Sequence, residues 1–220
     1  MTIKPLTSIE ILDKFIGFNT ISRQSNMAMI EWIRDYLAQF NIDCELVYGH
    51  EHGGKYCANL WAQVGSGDGG IVLSGHSDVV PVAGQDWSSD PFIMRETDGR
   101  LYGRGTADMK GFLACALNAL VRARQYKLNK PLQLAISYDE EIGCLGVHHL
   151  LHHLRAKAIK PSLCIIGEPT LLKIGIGHKG KLAFKVTRFS SNSKKVSLLS
   201  KSRVGLTPSS FPLRNLLSLT

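Results

Sequence analysis

The stretch Ile71-Val72-Leu73-Ser74-Gly75-His76-Ser77-Asp78 constrains this chain most, because an apolar run ends abruptly on two side chains capable of chemistry. A run this short, entered from the Gly-rich segment Gly65 to Gly70, reads as a buried strand rather than a helix. Two further runs share its form. Leu132 to Ser137 leads into Asp139-Glu140-Glu141, and Leu163 to Ile166 leads into Gly167-Glu168-Pro169-Thr170. Strands of this kind, separated by segments of helical periodicity, predict an α/β fold: an open, twisted mixed sheet flanked by helices. In such sheets ligands bind outside the carboxyl ends of the strands, where these three runs deliver their polar residues.

The flanking helices are legible. Thr7-Ser8-Ile9-Glu10 has the form of a capping box, and Ile11, Leu12, Phe15 and Ile16 follow at helical spacing. Ser25-Asn26 opens a second helix whose Ile30, Ile33 and Leu37 make one apolar stripe, which should pack on the sheet. Cys44 to Tyr48 and Asn59 to Val64 form a hairpin connected through Gly49 to Gly54. Gly65 to Gly70 is a tight turn and not a phosphate loop, since it leads into a strand instead of opening a helix. Val79 to Gly105 reads as a long irregular loop pinned by Trp87 and Phe92, and loops of that length inside compact domains are usually functional. Phe112 to Arg124 is a buried helix, and Asp108 lies at the junction that precedes it.

The net charge of +8 raises the possibility of nucleic-acid binding, but its distribution argues against it. Residues 188–220 hold six basic residues and no acid, so the rest of the chain is close to neutral. No segment approaches the ~18 continuous apolar residues of a membrane span, and residues 1–6 lack the apolar core of a secretory signal. The expectation is a cytoplasmic protein with no membrane and no nucleic-acid partner. Five cysteines with no C-x-x-C pair predict reduced, mostly buried thiols rather than a disulfide framework.

His76 and Asp78 are two residues apart, so extended backbone puts both on one face, where the carboxylate can hold one imidazole nitrogen and leave the other for a metal. Three adjacent acids at 139–141 repel one another, a cost that a cation relieves. Asp108 and Glu168 reach the same end of the sheet from two further loops. One histidine with several carboxylates is a divalent-metal donor set, and the imidazole favours zinc. The helix near 146–156 carries His148, His149, His152 and His153, but no H-E-x-x-H glutamate accompanies them and no partner acid is evident, so they read as a solvated face.

Four motifs in order, Ser74-Gly75-His76-Ser77-Asp78, Gly105-Thr106-Ala107-Asp108-Met109-Lys110-Gly111, Asp139-Glu140-Glu141 and Ile166-Gly167-Glu168-Pro169-Thr170, closely resemble those of the di-zinc amidohydrolase and aminoacylase metallopeptidase family. The likeness runs over about residues 5–187. It implies that His76, Asp108 and Glu168 hold one zinc and that Asp108 bridges to a second zinc held by Glu141. It implies further that Asp78 orients His76 and that Glu140 is the general base. The implied cofactor is Zn²⁺, two per site, with cobalt able to substitute, and the implied reaction is hydrolysis of the amide of a small N-acyl amino acid. Related desuccinylase and carboxypeptidase activities, or an inactive zinc-binding fragment, are the alternatives.

Members of that family continue into a lid or dimerisation domain that makes them homodimers, and into a final metal-binding histidine. Neither has a recognisable counterpart after His178. Residues 1–187 are therefore expected to be the N-terminal part of a catalytic domain. Residues 188–220 are expected to be a divergent, poorly ordered basic tail, with a short helix conceivable at Leu216, Leu217 and Leu219.

Overall fold

A computed structural model describes residues 3–52, 54–177, 182–188 and 196–202. The chain divides into two compact units, Met1–Pro169 and Thr170–Thr220. The first holds a five-stranded sheet in the order β1-β2-β6-β3-β7, built from β1 (Cys44–His52), β2 (Lys55–Val64), β3 (Ile71–His76), β6 (Leu132–Ser137) and β7 (Leu163–Ile166). β1, β2 and β6 pair antiparallel, whereas β6, β3 and β7 run parallel, so the sheet is mixed and the fold is the expected α/β class.

Helix α1 (Ser8–Ile16) starts at a formed capping box. The Glu10 carboxylate accepts from the Thr7 amide at 2.7 Å and the Thr7 hydroxyl accepts from the Glu10 amide at 3.2 Å. Its Ile11, Leu12, Phe15 and Ile16 are all buried. Helix α2 (Met27–Ala38) buries Ile30, Ile33 and Leu37 as the periodicity requires. Asn26 at its start does not cap it; the side chain donates to the Ala58 carbonyl and accepts from the Ala58 amide, tying the helix entrance to β2. Helix α3 (Lys110–Ala123) completes a core of 22 buried residues with α1, α2 and the sheet. Gly75 lets α3 lie close on β3, because a Cβ there would press into the side chains of Met109 and Leu113. Helix α4 (Val147–Ala156) buries Leu150 in a smaller cluster with Trp61, Val72 and Ala135.

Several expectations are corrected. The hairpin connection expected at 49–54 is mostly strand: pairing persists through Glu51↔Tyr56 and His52↔Lys55 beyond an irregularity after Tyr48. Gly49 fits there because Tyr138 packs where its Cβ would be. The loop 79–105 contains a small hairpin, β4 (Arg95–Thr97) with β5 (Arg100–Tyr102), turned by Asp98 and Gly99 at φ 51° and 67°. Asp-Gly between short strands is a strong two-residue hairpin signal that was there to be read. The thiols are not mostly buried: only Cys57 is, while Cys115 on the outer side of α3, Cys144 in a loop and Cys164 on the edge strand β7 are exposed. His153 does have a partner acid, Glu45 of β1 at 2.7 Å, which also pairs with Lys157.

In the second unit, β8 (Leu182–Arg188) and β9 (Val196–Ser202) form an antiparallel pair from Leu182↔Ser202 to Arg188↔Val196. Part of the segment expected to be a tail is thus strand, whereas residues 216–219 lie outside the described residues. No helix among the described residues is long and apolar enough to cross a membrane.

Candidate metal centre

β3 ends at His76, and the chain beyond it is held in extended form by a bridge from Val79 to Ile21 in the α1–α2 connection. The His76 ring is buried. Its Nδ1 lies 2.9 Å from the backbone carbonyl oxygen of Asp78 and 3.3 Å from the Asp78 Oδ1, so both acceptors hold the Nδ1–H and leave Nε2 facing outward. There Nε2 meets Asp108 Oδ1 at 3.2 Å, Glu140 Oε2 at 3.7 Å and Glu168 Oε1 at 4.0 Å.

Asp78 does more than face the imidazole. Its Oδ1 accepts from the Glu140 amide at 3.0 Å, and its Oδ2 accepts from the Ser22 hydroxyl at 2.7 Å and the Glu141 amide at 3.3 Å. The carboxylate thereby clamps the loop after β6 to the end of β3. Burial works against its charge, but His76, Ser22 and the Glu140 amide outweigh burial and hold its pKa below the usual carboxylate value. Asp139 differs from its two acidic neighbours. It is buried at φ 54°, and its carboxylate accepts from the Arg23 amide at 2.8 Å. The expected repulsion among three adjacent acids therefore reduces to Glu140 and Glu141.

Asp108 is carried by the turn before α3, where Met109 and not Asp108 occupies the N-cap. The Asp108–Met109 peptide is cis. The turn is anchored by Lys110, a fully buried lysine whose Nζ donates to the carbonyls of Phe15 in the last turn of α1 at 2.9 Å and of Phe18 just beyond it at 2.7 Å. Burial pulls this ammonium down to about 7, against a small opposing pull from Asp78.

His76, Asp108 and Glu168 offer three ligand atoms within 4.8 Å of one another, a possible divalent-metal site. Glu140 faces the same nitrogen from the loop after β6, and Glu141 stands outside the group of three. Burial, with Asp108 next, pushes the Glu141 carboxyl up to about 7. Burial also raises Glu168, with Asp108 and Glu140 adding to it and His76 opposing. On His76 itself burial lowers the pKa, but the hydrogen bond and charge of Asp78, then Glu140 and Glu168, outweigh it and lift it to about 9. The donor set, one imidazole and surrounding carboxylates, fits a divalent metal ion.

Ser22, Asn26 and Lys110 gave no functional signal in the sequence. A serine between two helices looks like any loop serine, and nothing in the sequence around Lys110 shows that it is buried against the end of α1.

The profile described as "Peptidase family M20/M25/M40" matches residues 72–209, and the chain belongs to that family. Among characterised relatives, it is 44% identical over 177 residues to the acetylornithine deacetylase of Vibrio vulnificus, covering 80% of this chain and 45% of that protein. It is 39% identical over 201 residues to that of Proteus mirabilis, covering 88% of this chain and 51% of that one. The chain spans about half the length of these relatives. Human carnosine dipeptidase 1 shares the fold with a TM-score of 0.63 at 23% identity, over 80% of this chain and 40% of that one.

Proposed function

We propose that this chain carries the metal-binding part of a zinc-dependent amide hydrolase of the acetylornithine deacetylase type, which converts N-acetyl-L-ornithine to L-ornithine and acetate in arginine biosynthesis. The observation that carries the reading is the outward Nε2 of His76, fixed from behind and faced by Asp108, Glu140 and Glu168 at the carboxyl ends of the strands. The identity to acetylornithine deacetylases supports the substrate class, a small N-acyl amino acid.

In this reading His76, Asp108 and Glu168 would hold one zinc, and Glu141 would contribute to a second. The ions supply Lewis acidity, polarising the amide carbonyl and making bound water more acidic. Glu140 takes the proton of the attacking water and returns it to the leaving amine, which needs a carboxylate that is near the cluster yet not committed as a ligand. Asp78 keeps the His76 ring oriented and its Nδ1 protonated, so Nε2 carries the lone pair. A cytoplasmic location completes the reading by resemblance to the family, whose homodimers rest on a lid or dimerisation domain outside the likeness found here.

The test replaces the matching segment of the Vibrio vulnificus enzyme with that of this chain. The expected result is zinc-dependent hydrolysis of N-acetyl-L-ornithine in preference to N-succinyl-diaminopimelate and to dipeptides. A chimera that binds zinc and cleaves one of the competitors preferentially would overturn the substrate assignment.

A further inference from the structure

The α1–α2 connection, residues 17–26, is bonded into the site from Thr20 to Asn26. Thr20 Oγ1 donates to the Ser77 carbonyl at 2.6 Å, the Val79 amide donates to the Thr20 carbonyl and the Ser22 amide donates to the Val79 carbonyl, both at 3.0 Å. Arg23 donates its amide to Asp139, and Asn26 Nδ2 donates to Ser77 Oγ at 3.0 Å. Thr20, Ser22 and Asn26 are all at least nine-tenths buried. A connection between two helices ordinarily runs over the surface, because buried backbone needs partners. This one has them: Thr20, Ser22, Arg23 and Asn26 bond to the strand end or loop that carries a proposed ligand or base, and Ser25 and Asn26 bond also to Tyr56 and Ala58 of β2.

Ser22 stands out within it. Its hydroxyl carries one proton and has two acceptors in reach, Asp78 Oδ2 at 2.7 Å and the Val79 carbonyl at 3.3 Å. The shorter contact is to the charged acceptor, which makes the stronger bond. The other donors to the Asp78 carboxylate are His76 and the amides of Glu140 and Glu141, which belong to the site itself. Among the described residues, Ser22 is the one donor to this carboxylate that comes from outside the site. We propose that Ser22 is a positioning residue: its hydroxyl sets the rotation of the Asp78 carboxylate, and through it the direction in which His76 Nε2 and the Glu140–Glu141 loop meet a cation. The proposal rests on the reading of His76, Asp108 and Glu168 as cation ligands.

Removing the hydroxyl takes away the shortest contact to Asp78 Oδ2 and leaves that oxygen to the Glu141 amide at 3.3 Å, which loosens the rotation of the carboxylate that supports His76. Loss of such a supporting hydrogen bond typically costs about 10- to 100-fold in metal affinity. The experiment titrates zinc into the whole chain by calorimetry and records the His76 Nδ1–H resonance of the metal-free protein by NMR. Ser22→Ala is expected to bind zinc at least about 10-fold more weakly and to shift or broaden that resonance, and Ser22→Thr, which keeps the hydroxyl, to restore both. Wild-type zinc affinity in Ser22→Ala, or an equal loss in Ser22→Thr, would overturn the proposal. Should Ser22→Ala fail to fold, Ser22→Cys fills the same space with a weaker donor, and wild-type affinity in that variant would overturn it. Asp108→Ala serves as the control: if it binds zinc as the wild type does, the cation-ligand reading itself fails, an outcome distinct from failure at Ser22.

Discussion

The floor of the candidate site and its rim are built in opposite ways. The side chains of His76 and Asp78 are 1% and 3% exposed and held by hydrogen bonds from three parts of the chain. Those of Asp108, Glu140 and Glu168 are 48%, 36% and 39% exposed and converge on one nitrogen. Folding therefore fixes the imidazole before any cation arrives, whereas the rim acids repel one another until one does. The floor should be coupled to stability and the rim to binding and chemistry.

Glu140 offers the largest effect. Glu140→Gln keeps the shape of a rim residue and removes its ability to take a proton, so turnover in the chimeric enzyme should fall about 10²- to 10⁴-fold while zinc stoichiometry is unchanged. Loss of zinc in this variant would make Glu140 a ligand and move it out of its proposed role.

Asp78→Ala addresses the floor. It strands the Glu140 and Glu141 amides and leaves the Ser22 hydroxyl and the His76 Nδ1–H only backbone carbonyls to bond, and the metal-free protein should lose about 3 kcal/mol or more in urea unfolding. Asp108→Ala, on the rim, should leave metal-free stability within about 0.5 kcal/mol while abolishing tight zinc binding. Equal destabilisation by the two would erase the distinction between floor and rim.

The metal-free protein should also show a pH dependence of known sign. His76, raised in the folded state from 6.5 to about 9, contributes stability that is fully present below 6.5 and lost as pH rises through about 9. Glu141, raised from 4.5 to about 7, adds a loss in the same direction between those values. Saturating zinc displaces these protons and should reverse the trend, because binding to deprotonated ligands strengthens as pH rises. Thermal unfolding at several pH values, with and without zinc, reads both slopes.

The floor and rim differ as well in how far the sequence disclosed them. Strand ends are marked by an apolar run that stops, so His76, Glu140 and Glu168 could be placed from pattern alone, and the capping box at Thr7 and Glu10 gave the start of α1. What could not be read was long-range pairing. Ser22 meets Asp78 across 56 positions, Lys110 meets Phe15 across 95, and His153 meets Glu45 across 108. No local periodicity encodes such partners. Asp139 was grouped with its neighbours for a related reason: adjacency in sequence hid a positive φ that turns it toward Arg23. The β4–β5 hairpin is by contrast a local signal, Asp98-Gly99, set in a stretch whose Gly, Pro, Ser and Asp content reads as irregular loop.

The central claim is that one imidazole and the rim carboxylates hold a divalent ion, and zinc-edge X-ray absorption on the zinc-loaded chain tests it most directly. The account predicts a first shell with a single imidazole nitrogen and otherwise oxygen donors, lost in Asp108→Ala. A shell with two or more imidazole nitrogens, or one unchanged in Asp108→Ala, would place the metal elsewhere, such as on the α4 histidines, and contradict it.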